Sequence, residues 1–116
     1  MSHKRWRNDT PTAPRRMLRL AEAKPRTYLL HSLTVTLNNL GHLYLHTQRI
    51  SKAEKKLKEA LAIRRQLAEA KPEVFLSHVA STLTELRDIY HSMQRHSEEE
   101  EAYQEILTIE LIASKR

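Results

Sequence analysis

Apolar residues recur every three or four positions over two stretches in the middle of the chain. Over about 27–46 the series is Leu30, Leu33, Leu37, Leu40 and Tyr44. Over about 51–70 the series is Ala53, Leu57, Ala60, Ile63, Leu67 and Ala70. This spacing places the apolar residues on one face of an α-helix. The pattern predicts two amphipathic helices, and the short break from His46 to Ile50 makes them antiparallel neighbours.

The second half of the chain repeats the first. Leu-Ala-Glu-Ala-Lys-Pro at 20–25 recurs at 67–72, and after one dropped residue the two copies run 46 positions apart, as in Tyr44 and Tyr90. Such self-similarity at a fixed period is the signature of a repeat architecture. We therefore divide the helical region, 14–116, into three parts. They are a partial repeat at 14–25, a repeat at 26–71 and a degenerate repeat at 72–114.

Local signals predict where the helices begin and end. Pro25 and Pro72 disfavour the helical conformation of the residue before them, and each suits the first turn of the next helix. Ser51 followed by Glu54 has the pattern of a capping box, and the same pattern recurs 46 residues later. The expected order is a partial helix and then two helical pairs, which makes an all-α chain of about five helices.

Seven residues of the first repeat have the types and spacing of a known repeat signature. They are Leu37, Leu40, Gly41, Tyr44, Ala53, Leu57 and Ala60. With these residues the chain resembles the tetratricopeptide repeat family, in its extended kinesin-light-chain-like form, over about 15–114. The resemblance implies an α-solenoid of antiparallel helix-turn-helix repeats. In the second copy Arg87, Glu99 and Ile106 replace the small residues, so we expect looser packing there.

The resemblance also implies a binding groove. In that family the first helices of the repeats line a concave groove that holds peptides or partner helices, and Asn39 resembles the asparagine that contacts the peptide backbone. An amide both donates and accepts hydrogen bonds, which suits an extended peptide. The residues predicted to line the groove are Asn38, Asn39, His42, Leu45, His46, Glu85 and Asp88. The alternative is that the asparagines are ordinary solvated residues of a helix.

The last helix is apolar over more than half of its circumference. A terminal helix that packs on one neighbour needs only one apolar stripe, so the excess predicts a second contact. The residues assigned to that contact are Tyr103, Ile106, Leu107, Ile109, Leu111 and Ile112. We favour self-association into a homo-oligomer. A following repeat in a longer parent protein is the alternative.

Charge is unevenly divided along the chain. Residues 1–72 hold 16 Lys or Arg against 5 Asp or Glu, a net +11, and residues 73–116 hold 4 against 9, a net −5. Residues 1–13 have no apolar period, which predicts a disordered basic tail. A basic patch on the second helix consists of Lys52, Lys55, Lys56 and Lys58. The second-ranked hypothesis is thus binding of nucleic acid or an anionic surface, and the split charge also suits head-to-tail pairing of two copies.

Candidate chemistry changes this picture little. The chain has no Cys, Gly-rich phosphate loop or G-x-S-x-G elbow. His42 and His46 lie one turn apart, but Leu43 stands where a zincin motif has Glu. We therefore expect neither an enzyme nor a metal or cofactor site. With no apolar leader or membrane span, the sequence predicts a cytoplasmic scaffold that binds a protein or peptide, or a fragment of a larger scaffold.

Overall fold

The computed structural model describes residues 25–115. Its four helices are α1 (Pro25–His46), α2 (Ile50–Ala70), α3 (Pro72–Ser92) and α4 (His96–Ser114). No strand occurs in this described part, so the predicted all-α class is confirmed. The basic tail at 1–13 and the partial repeat at 14–25 lie outside the described residues, apart from Pro25, at which α1 begins. Four of the five predicted helices lie within the described residues, and the number of five stays a prediction.

Consecutive helices pack against each other, and small residues bring the first pair close together. α1 packs on α2, α2 on α3, and α3 on α4. Ala53 and Ala60 of α2 are completely buried. A Cβ atom on Gly41 of α1 would lie only 3.0 Å from Cγ of Leu57 on α2. The two helices thus approach as closely as a residue without a side chain permits.

The turns that end α1 and α3 have the same backbone geometry. Gln48 and Gln94 adopt the left-handed conformation, with φ of 61° and 58°. The N–H of Arg49 donates to the carbonyl of Tyr44 at 2.7 Å, and the N–H of Arg95 donates to that of Tyr90 at 2.8 Å. The N–H of Gln48 also donates to the carbonyl of Leu45. The two bonds define a Schellman turn, in which glutamine occupies the position usually held by glycine.

This turn geometry makes the predicted capping boxes wrong. α2 begins at Ile50, so Ser51 lies inside its first turn, and the residue at the N-cap position is Arg49, whose side chain makes no capping bond. In the same way α4 begins at His96 after Arg95. The reason is that the left-handed residue reverses the chain within one peptide unit, and the next helix starts before either serine is reached.

Two clusters of buried apolar residues form the core. One cluster joins α2, α3 and α4 and consists of Leu67, Ala68, Phe75, Val79, Leu83, Ala102, Ile106 and Ile109. The other consists of Ala53, Leu57, Leu86, Ile89 and Tyr90, with Tyr44 and Leu45 of α1 packed against it. Leu33 belongs to the predicted apolar series of α1 but is exposed, because no described helix covers that side of α1.

The second hairpin departs from the first at the position where α1 and α2 approach most closely. Arg87 stands where Gly41 stands one repeat earlier, and its guanidinium carbon lies 5.8 Å from the ring centre of Tyr103. Tyr103 stands where Leu57 stands in α2, yet Tyr103 is exposed whereas Leu57 is completely buried. Because α2 packs between α1 and α3 while no described helix follows α4, this exposure does not measure the packing of the hairpin, and looser packing there stays a prediction.

Candidate functional site between the first and third helices

Polar contacts join α1 to α3 along one side of the molecule. The Nδ2 atom of Asn38 donates to Oε1 of Glu85 at 2.6 Å. Nε2 of His42, one turn further along α1, contacts the other carboxylate oxygen of Glu85. Glu85 therefore links α1 to α3. Its two carboxylate oxygens face residues of α1 that the sequence assigned to the groove.

A buried arginine from α2 lies beneath these contacts. Nη1 of Arg64 donates to Oγ1 of Thr82 at 2.6 Å, to Oδ1 of Asn38 at 3.2 Å and to the carbonyl of His78 at 3.4 Å. Its Nε has no partner among the described residues. Burial lowers the pKa of Arg64, and the nearby Glu85 carboxylate opposes that shift. The side-chain amide of Asn38 thus accepts a hydrogen bond from Arg64 and donates one to Glu85.

Two histidines at matching places in the repeats meet in the same seam. The ring centres of His31 on α1 and His78 on α3 are 5.2 Å apart in an edge-on arrangement. Phe75 lies 5.8 Å from the first and 5.9 Å from the second. Burial, and then the positive charge of Arg64, lower the pKa of both imidazoles. Both rings are therefore neutral near pH 7.

A shallow depression of about 280 Å³ lies at the carboxyl-terminal end of this seam. It is lined by His42, Leu45, Glu85, Asp88, Ile89 and Ser92. Half-buried Leu45 supplies the accessible apolar surface and buried Ile89 lies at the base of the depression, while Glu85 and Asp88 supply negative charge. The structure therefore brings together four of the residues that the sequence assigned to the groove: His42, Leu45, Glu85 and Asp88.

The remaining predicted groove residues lie elsewhere on α1. The amide of Asn38 is occupied by bonds within the molecule, as described above. Asn39 is exposed, and its side chain makes no hydrogen bond with the described part of the chain. His46, in the last turn of α1, is exposed as well. Asn39 therefore keeps both the donor and the acceptor of its amide available.

Sequence reasoning missed three residues of this region. Ile89 and Ser92 line the depression, and each could have been found because it follows Glu85 or Asp88 by four positions on the same helix face. Arg64 of α2 is the third of these residues. Its spacing, three residues before Leu67, already places it on the buried face of α2.

The predicted basic patch on α2 is largely paired with acidic or aromatic neighbours. Nζ of Lys58 lies 3.0 Å from Oε2 of Glu54, and Lys56 lies 3.5 Å from Glu59. Nζ of Lys52 sits 5.8 Å from the ring centre of Tyr44. The hydrogen bond to Glu54 raises the pKa of Lys58. The fourth lysine of the patch, Lys55, is exposed.

The predicted self-association surface divides into two sets. Ile106 and Ile109 are buried in the core cluster shared with α2 and α3. The other four residues are exposed: Tyr103, Leu107, Leu111 and Ile112. The packing of α4 on α3 thus uses one stripe of the helix. Tyr103, Leu107 and Leu111, spaced four positions apart, form a second apolar stripe that no described residue covers, and Ile112 lies on another side of the helix.

The side chains and helices of residues 25–115 also bear on metal binding and on membranes. No group of three or more His, Cys, Asp or Glu side chains there is arranged to hold a metal ion. None of the four helices combines the length and the apolar character that crossing a membrane requires. Comparison of the chain with protein-family models, curated proteins and solved structures finds no match.

Proposed function

We propose that the protein is a cytoplasmic interaction module that binds an extended peptide or a partner helix along the seam between α1 and α3. The observation that carries the proposal is the depression in which an apolar surface, Leu45 and Ile89, adjoins the carboxylates of Glu85 and Asp88. The exposed amide of Asn39 on the same helix adds a backbone-binding group. The resemblance to tetratricopeptide repeats supports this reading of the groove, and no catalytic role is proposed.

The chemistry of the depression defines its ligand. Leu45 and Ile89 suit an apolar anchor residue, and the acidic groups suit a lysine or arginine next to it. Asp88 is well exposed, so its ion pair with such a ligand is worth under about 1 kcal/mol. Affinity must come mainly from the apolar anchor and from backbone hydrogen bonds. We therefore expect weak binding with modest dependence on salt.

The adjacent asparagines provide a matched pair of variants. Asn38→Ala removes the acceptor of Arg64 and the donor to Glu85, so we expect it to lower the free energy of unfolding by about 1–3 kcal/mol. Asn39→Ala removes no bond to a described residue, so its effect should stay within about 0.5 kcal/mol. Urea unfolding checks both values. Equal losses would contradict the assignment of Asn38 to the fold and Asn39 to the surface.

Peptide binding is tested by panning the protein against a display library of random peptides. Enriched peptides are synthesised and their Kd is measured by fluorescence anisotropy. Loss of one hydrogen bond or ion pair, about 1 kcal/mol, should weaken binding about fivefold in Asn39→Ala and in Asp88→Asn. Glu73→Gln, an exposed acid in the first turn of α3 and outside the depression, is the matched control. Failure to enrich any peptide, or peptides that ignore both groove variants, would overturn the proposal.

The basic patch supports a second candidate less well, because two of its lysines already face carboxylates. If that candidate were right, oligonucleotide binding would fall steeply with salt. It would also be lost when Lys52, Lys55, Lys56 and Lys58 are replaced by glutamine.

Self-association is the second part of the proposal. Its support is the exposed apolar stripe of α4, since a contiguous apolar surface on a small protein usually marks an interaction site.

A further inference from the structure

The exposed apolar residues of α1 have buried counterparts in α3. The exposed residues are Leu29, Leu33 and Leu43, with 63%, 45% and 56% of their surface accessible. We call them the α1 stripe. Each helix is continuous, so its positions can be counted back from the matching turns that end α1 and α3, which lie 46 residues apart. In that count the counterparts are Phe75, Val79 and Ile89, with 6%, 2% and 2% accessible. In α3 these positions lie in core clusters with residues of α2, so the preceding helix covers the face that is open in α1.

The last helix, α4, has exposed residues whose counterparts in α2 are buried. Tyr103 and Leu107, which we call the α4 stripe, are 41% and 39% accessible. The residues 46 positions earlier are Leu57, which is completely buried, and Leu61, which packs against both core clusters. Leu57 shares its cluster with Ile89 of α3. The face that α2 presents to α3 is therefore the face that α4 leaves open.

The two stripes are thus the two halves of the interface that joins α2 to α3 within the chain. We infer that the α4 stripe of one copy packs on the α1 stripe of a second copy, as α2 packs on α3. Copies then join head to tail. This inference rests on the self-association proposed above and gives it a partner surface. The contact is heterologous, so each copy keeps one free stripe at each end and the assembly can grow.

Charge favours this arrangement over a symmetric pairing of two α4 helices. Residues 96–115 contain six Glu and one Lys, a net −5, whereas α1 contains one Arg and no Asp or Glu, a net +1. Pairing α4 with α4 would bring two acidic segments together. Pairing α4 with α1 avoids that repulsion, which selects the direction of association.

One polar contact follows from the same repeat relation. Arg64 of α2 donates to Thr82 of α3, and their counterparts in the repeat are Glu110 of α4 and Thr36 of α1. The head-to-tail pairing therefore sets a carboxylate opposite a threonine hydroxyl, which can donate to it. Both residues are exposed in the single chain, so neither loses an existing core contact on assembly.

The test is sedimentation velocity on the full chain. One helix against one helix buries less than the roughly 1,600 Å² of a standard interface, so the protein is examined from about 5 to 500 µM. Leu33→Glu blocks the α1 stripe and Leu107→Glu blocks the α4 stripe. Val74→Glu, at an exposed position of α3 outside both stripes, is the matched control.

A heterologous contact predicts a specific pattern. The wild-type mass rises with concentration beyond a dimer, and Val74→Glu behaves like it. Leu33→Glu and Leu107→Glu each stay monomeric at concentrations where at least half of the wild-type chains are associated. An equimolar mixture of these two variants forms a 1:1 dimer and nothing larger, because one intact stripe remains on each. Circular dichroism confirms folding, and Leu43→Glu or Tyr103→Glu replaces any variant that unfolds.

Other results would overturn the inference in distinguishable ways. If Leu107→Glu abolishes association while Leu33→Glu associates like the wild type, two α4 helices pair symmetrically; self-association stands and the head-to-tail contact does not. A wild-type chain that is monomeric throughout overturns both. Peptide binding in the groove is measured separately and survives either outcome.

Discussion

Replacing Gly41 by alanine tests whether the first hairpin depends on close contact between α1 and α2. The added Cβ would lie 3.0 Å from Cγ and 3.1 Å from Cδ2 of Leu57, and 3.6 Å from the carbonyl oxygen of Ala53. Because Leu57 is completely buried, it cannot swing aside into solvent. Overpacking of this kind costs about 1–3 kcal/mol. Removing a glycine from a helix interior contributes about 1 kcal/mol in the opposite direction, so we expect a net loss of about 1 kcal/mol.

A double-mutant cycle with Leu57 separates the two effects. Leu57→Ala alone should cost about 2–5 kcal/mol, because it leaves a cavity in the core. That cavity also accepts the methyl group of Ala at position 41. In the Leu57→Ala background, Gly41→Ala should therefore stabilise the protein by about 1 kcal/mol through helix propensity. The sign of its effect reverses between the two backgrounds, and the coupling is about 2 kcal/mol, within the range found for residues in contact.

The cycle is measured by urea unfolding followed by far-ultraviolet circular dichroism. All four proteins are compared in the same concentration of a stabilising osmolyte, because Leu57→Ala removes a large share of the total stability. Arg87→Ala, at the matching position of the second repeat, is the control and should change stability by less than about 0.5 kcal/mol. A Gly41→Ala protein that is more stable than the wild type, or an effect that is equal in both backgrounds, would refute the close-contact explanation.

Gln48→Gly and Gln94→Gly should each raise the free energy of unfolding by about 1 kcal/mol, because both glutamines hold left-handed backbone that glycine adopts without strain. Unchanged urea midpoints would show that these turns carry no strain. For His31 and His78, burial lowers the pKa below the ordinary value of 6.5, so the unfolded chain binds protons more readily than the folded one. Stability is therefore complete well above that value and falls as the pH is lowered through it. Unfolding titrations should show a flatter pH dependence when both are replaced by glutamine, whereas His46→Gln, at an exposed site, should leave the slope unchanged.

Periodicity and chain breakers carried most of the information about the helices. The predicted segments, about 27–46 and 51–70, differ by two residues or fewer from α1 and α2 in the structure. Pro25 and Pro72 stand at the first residue of α1 and α3, as expected from the fixed φ of proline. The capping boxes failed because the turn before each depends on a left-handed glutamine, and glutamine has no special tendency to adopt that conformation.

The sequence predicted which residues belong to the candidate site but not how their side chains are arranged. Glu85 and Asp88 stand 46 positions after Asn39 and His42, so the repeat could assign them to the same surface as those residues of α1. That Asn38 turns inward to Arg64 while Asn39 faces solvent was not predictable. The choice depends on where α2 and α3 lie relative to α1, and the sequence of α1 alone does not contain that geometry.

The sequence by itself determined the repeat, the helical class and the order of the four described helices, because these follow from local spacing and from residues that break helices. The tertiary structure decided which apolar residues are used. Ile106 is buried and its neighbour Leu107 is exposed, although both fit an apolar face. Only the angle at which α3 meets α4 separates them, since one helix can cover one stripe of another and no more.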